Sequence, residues 1–152
     1  MSLISLKSAF KKNHSQKIES CSLRGHHLIC LHFFSGEGYD AAFVENLRNV
    51  IGVAEEGIVQ VHNGADAICK YCPSLKFNRC MHSAQVEDDI LAMDRLALRL
   101  LGLLSGQFVR WTDIRNMLPS IFRAWYESSC NGCGWKGACE KKKLYMELRA
   151  RE

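Results

Sequence analysis

Six of the eight cysteines in this 152-residue chain fall into two triplets, and each triplet opens on a C-x2-C knuckle. Cys69, Cys72 and Cys80 lie in C-K-Y-C-P-S-L-K-F-N-R-C; Cys130, Cys133 and Cys139 lie in C-N-G-C-G-W-K-G-A-C. Two residues between cysteines let the backbone turn tightly enough to aim both sulfurs at one point. Soft thiolates at that spacing suit zinc or an iron–sulfur cluster. Converging thiolates in a partly dry site are costly without a cation between them. The fold must therefore bring loops together around metal, and each triplet is one ligand short of four.

The cysteines read as free thiols. Residues 1–20 lack the continuous apolar core and small-residue cleavage site of a secretory signal. Clustered thiols in a reducing compartment are usually metal ligands, so a cytoplasmic location is expected. The lysine- and serine-rich stretch 1–22 reads as a flexible basic extension. Organellar import through it is the minor alternative, and no arginine precedes Arg24. No run approaches the ~18 apolar residues of a membrane span, so no membrane partner is expected.

The formal charge of +4 is unevenly spread. Residues 1–22 carry four lysines and one glutamate, and residues 130–152 carry six basic and three acidic residues. This is not the concentrated stripe of a dedicated nucleic-acid binder, and nucleic acid is a disfavoured partner. Lys136, Lys141, Lys142 and Lys143 read as the solvated face of a terminal helix.

Periodicity places the knuckles between ordinary elements. Leu23 to Phe34 is apolar with His26, His27, Cys30 and His32 embedded, and fits a strand or a short helix. Asp40 caps a helix to about Glu56, with Phe43, Val44, Leu47, Val50, Ile51 and Ala54 on one side, and Gly57 ends it. Ile58 to His62 alternates as a strand before the Asn63-Gly64 turn. Ser83 is the expected cap of a helix carrying Ile90, Met93, Ala97 and Leu100, and Thr112 that of a helix kinked or divided at Pro119. Cys139 is expected to open a last helix to about Arg151. The fold class is α+β: one mostly helical, cysteine-rich domain over 23–152, with three or four helices and a small strand element.

A zinc ribbon would pair Cys69 and Cys72 with Cys130 and Cys133, leaving Cys80 and Cys139 unused. The short third spacings instead resemble cluster loops, in which a cysteine beyond the knuckle binds the same cluster. C-x2-C-x5-C matches the last three ligands of the cluster loop of certain DNA glycosylases, with Arg123 where the first would fall. The missing fourth ligand is expected from R-G-H-H-L-I-C: Cys30 first, then His27 or His26. His82 is a weaker choice, and Cys21 reads as a bystander.

The chain resembles a small bacterial and archaeal family of unknown function described as iron–sulfur-binding. The likeness rests on R-G-H-H-L-I-C, F-S-G-E-G-Y-D, F-V-E-N-L, A-D-A-I-C-K-Y-C-P, Cys80 and C-N-G-C-G-W-K-G-A-C, over roughly residues 24–140. It implies a cluster, of the 4Fe–4S kind, at Cys30, Cys69, Cys72, Cys80, Cys130, Cys133 and Cys139, with His26 and His27 nearby. The leading function is electron transfer or redox sensing with an unknown redox or protein partner. A structural zinc module for protein or nucleic-acid interaction is the alternative. A third reading is a cluster-dependent enzyme with an open iron, using His26 or His27 as acid–base.

Overall fold

The computed structural model describes residues 21–81 and 86–151. The fold is α+β. A small sheet holds β1 (Cys21–Arg24), β2 (Ile58–His62) and β5 (Phe108–Arg110), in the order β1-β2-β5. β1 runs parallel to β2, with Cys21 opposite Val59 and Arg24 opposite His62; β5 is antiparallel, with Val109 opposite Val59. The other strands, β3 (Leu75–Lys76) and β4 (Arg79–Cys80), form a separate hairpin. Phe77 and Asn78 turn it in the left-handed region, as a two-residue hairpin requires.

The described helices are α1 (Gly25–Cys30), α2 (Ala41–Glu56), α3 (Val86–Leu101), α4 (Trp111–Trp125), α5 (Lys136–Cys139) and α6 (Lys143–Ala150). Parallel strands need a crossover, and α1 and α2 provide it. Asp40 caps α2 as expected, its side chain accepting from the Phe43 amide at 2.8 Å. Gly57 is the C-cap, and β2 has the expected bounds. Leu23, Leu28, Ile29, Val59, Val61, Ile114, Leu118 and Trp125 are essentially shielded from water and form the core between sheet and helices. Phe33, Phe122 and Tyr145 pack edge-on, with centroids 5.2–5.6 Å apart, and dock α6 against α4.

Four local expectations need correction. Thr112 does not cap α4; Arg110 is the N-cap and β5 runs straight into the helix. Pro119 does not divide α4, which continues to Trp125. Cys139 closes the short α5 rather than opening the last helix, which begins at Lys143. Cys21 belongs to β1 instead of the extension. The Ser83 cap falls on residues 82–85, outside the described residues.

Close packing of α1 on α3 depends on Gly25. A Cβ there would overlap the Asp94 carbonyl, 2.8 Å from its carbon, and backbone cannot yield as a side chain can. Gly25→Ala is expected to destabilise the protein by about 1–3 kcal/mol, the usual range for overpacking. Urea unfolding checks this; an unchanged midpoint would show that the two helices separate freely.

His32 stacks on Trp111 with centroids 3.9 Å apart. Burial, then the Arg115 charge, lowers its pKa to about 3. Its neutral form is therefore favoured by the fold. Below the unfolded value of about 6.5 the unfolded chain takes the proton first, so stability is lost as pH falls from there towards 3. Urea midpoints should decline through that window, and less steeply in His32→Gln.

Candidate metal centre

β1 and α1 deliver the R-G-H-H-L-I-C segment to the centre of the molecule. The helix meets the second cysteine loop through Cys30 and the first through His27, about one helical turn apart.

Cys30 is half-buried, and its pKa is raised well above that of a free thiol. Burial is the main cause, and the charges of Cys130, Cys139 and Cys133 add to it. Four sulfurs from two distant stretches of chain thus share one electrostatic neighbourhood. Burial raises Cys130 too; burial and the neighbouring cysteines push Cys139 up to about 11. Cys133 alone of the four is exposed.

Local structure shapes this quartet. Beyond Trp125 the helix widens into a π turn, Tyr126–Cys130, with the Asn131 amide bonding the Tyr126 carbonyl at 3.1 Å. Such a turn re-aims the next side chain, here Cys130. The knuckle closes with the Cys133 amide on the Cys130 carbonyl at 3.0 Å, and Gly132 supplies the positive φ it needs. The Trp135 amide donates to Cys133 Sγ at 3.4 Å. Trp125 Nε1 and Tyr145 Oη are buried and have no hydrogen-bond partner among the described residues. The first faces Cys30 and the second faces Cys130. Buried donors turned towards sulfur are what a metal–thiolate site requires around it.

The first triplet divides. Cys69 points inward, where Arg24 Nη1 approaches its sulfur at 3.7 Å. Burial, then the Asp66 charge, pushes its pKa up to about 12. Cys72 and Cys80 both lie within charge reach of Tyr39. Tyr39 stands edge-on to Trp135, centroids 5.0 Å apart, and so links the two loops. The Cys80 amide donates to Glu87 at 2.6 Å.

Beside Cys69 lies a polar cluster that spacing arguments did not find. Arg24, 1% exposed, donates from Nε to Asp94 at 2.8 Å and comes within 3.8 Å of Glu87. His26 Nδ1 pairs with Asp94 at 2.6 Å, and His27 Nδ1 with Asp66 at 2.7 Å. Burial, then His27, lowers the His26 pKa to about 4. Burial alone would raise Asp66. His27 and the amides of Arg24 and Cys69 outweigh that and hold it below the usual carboxylate range. A His27 ring nitrogen, an Asp66 oxygen and Cys69 Sγ all lie within 4.8 Å of one another, a possible metal-binding group.

A protein family of unknown function, DUF1284, matches residues 38–139, a span that contains both cysteine triplets. The chain belongs to that family. In this DUF1284 protein the matched span begins after Cys30, so the segment that supplies Cys30, His26 and His27 precedes it. No curated protein and no solved structure matches the chain. Among the described residues of this DUF1284 protein, no helix is long and apolar enough to cross a membrane. His82 lies outside the described residues.

Asp66 was legible in hindsight. An Asp three residues before a cysteine, in A-D-A-I-C, is the pattern of a side chain capping a turn, and its Oδ1 accepts from the Ile68 and Cys69 amides. Asp94 and Glu87 carried no such mark. In sequence they are simply charges on an amphipathic helix.

Proposed function

We infer that this protein binds an iron–sulfur cluster through Cys30, Cys130, Cys133 and Cys139 and serves in electron transfer or redox sensing. The observation that carries this reading is the convergence of Cys30 with the second triplet. It gives four sulfurs to a loop that spacing left with three, and the ligand comes from α1 rather than from Arg123. The short third spacing, with a cysteine just beyond the knuckle, favours a cluster over a zinc ribbon.

The surroundings suit that cofactor. A cluster bound here would supply one-electron chemistry. Trp125 and Tyr145 offer N–H and O–H donors to the sulfurs, which would stabilise added negative charge. Exposed Cys133 marks the edge nearest to solvent, where a redox partner would approach. The elevated thiol pKa values mean that cofactor binding must release protons.

Stepwise reduction of the anaerobically purified protein tests the reading. Reversible bleaching with a paramagnetic signal in the reduced state is expected. A protein that shows neither, and holds one zinc in a four-sulfur shell, would establish the structural zinc module instead.

A further inference from the structure

A second group of polar side chains lies where α1 meets α3 and the Asp66 loop, and the four-cysteine centre makes no use of it. We propose that His26, His27 and Cys69 hold a single divalent transition-metal ion of the zinc or ferrous class. This site is separate from the cluster reading and does not depend on it.

Each imidazole is already set as a ligand would be. Both tie Nδ1 to a carboxylate, at 2.6 Å to Asp94 and 2.7 Å to Asp66, which leaves Nε2 of each as the ring atom available to a metal. A carboxylate behind an imidazole fixes its tautomer and raises its basicity as a ligand. The two rings are neighbours, with centroids 4.1 Å apart. Cys69 Sγ lies within 4.8 Å of a His27 ring nitrogen.

Asp66 is a positioning residue here. It accepts from the Arg24, Ile68 and Cys69 amides and pairs with His27, which uses both oxygens twice. Its lone pairs are committed, so the third ligand is the neighbouring His26.

Charge points the same way. Asp94 and Glu87 pair with the guanidinium of Arg24, and Asp66 accepts from its backbone amide. Three largely buried carboxylates against one fixed cation leave room for a further positive charge. Arg24 Nη1 approaches Cys69 Sγ at 3.7 Å, while Nη2 is buried with no hydrogen-bond partner among the described residues. The imidazoles stay 13% and 14% exposed, so an ion can enter and a fourth position stays open to water. Two imidazoles and one thiolate suit zinc or ferrous iron and reject magnesium or calcium.

The test uses the full chain, purified without oxygen, stripped with chelator and titrated with zinc against a chromophoric competitor. One zinc per chain is expected, with X-ray absorption showing one sulfur and two imidazole nitrogens. Cys69→Ser and His27→Gln should each weaken binding at least about tenfold, with visible absorption and far-UV dichroism unchanged. Undiminished zinc binding in a folded Cys69→Ser protein would overturn the proposal, as would a four-sulfur shell or no zinc bound. If Cys69→Ser does not fold, the X-ray absorption of the unaltered protein decides alone. A colourless protein that still binds one zinc through one sulfur would support this site while defeating the cluster reading.

Discussion

Cys30→Ser abolishes the violet-blue absorption expected of the anaerobically purified protein while leaving its far-UV dichroism in place. Cys30 is the one member of the quartet that lies outside the second triplet, and it reaches Cys130, Cys133 and Cys139 from another part of the chain. Serine is nearly isosteric, so the packing of α1 survives. A hard hydroxyl is a poor ligand for iron in a cluster, and the remaining three sulfurs cannot close the site. Loss of most of the bound iron is the expected magnitude. Cys21→Ser, in β1, should keep full absorption and serves as the control. A Cys30→Ser protein that keeps its colour would show that the quartet is not the ligand set.

The largest effect on stability is expected at Arg24. Its guanidinium is buried between Asp94, Glu87 and Cys69, and its own amide donates to Asp66 at 2.7 Å. Arg24→Ala leaves two largely buried carboxylates without their cation. Removing one partner of a buried ion pair costs about 3–5 kcal/mol. For a domain of this size that is a fall in Tm of roughly 6–20 °C. Arg24→Lys restores the charge but not the fork that spans Nε and Nη1, so it should recover only part of the loss. Thermal unfolding of the metal-free protein measures both. A loss below about 1 kcal/mol would mean that water reaches the cluster and screens it.

Much of the scaffold was legible in the sequence. Asp40, the one-sided apolar set from Phe43 to Ala54, and Gly57 define α2 because each acts locally, through cap, stripe and stop. Ile58 to His62 is a strand for the same reason. The misses are tertiary. β5 is three residues long and exists because Val109 pairs with Val59. Thr112 had the chemistry of a cap, but the strand entering α4 already sets the backbone at Arg110. Pro119 is tolerated inside α4, whose Leu118 and Ile121 are held by the core on either side of it.

The site was legible in the same uneven way. Spacing singles out the thiols and leaves each triplet one short of a four-ligand set, and the Arg24–Cys30 segment is the expected source of the remainder. The division of the first triplet was not readable. C-K-Y-C fixes how the chain turns, but not that Cys69 faces Arg24 while Cys72 faces Tyr39. The His26–Asp94 and His27–Asp66 pairs join residues 68 and 39 positions apart, and no local pattern encodes such a pairing.

The central claim is that Cys30, Cys130, Cys133 and Cys139 form one cluster site. Iron and acid-labile sulfide, measured per chain on the protein purified without oxygen, test it most directly. The account predicts close to four of each for a 4Fe–4S cluster, falling together in Cys30→Ser. Stoichiometric zinc on those four sulfurs, with neither iron nor sulfide, would contradict it.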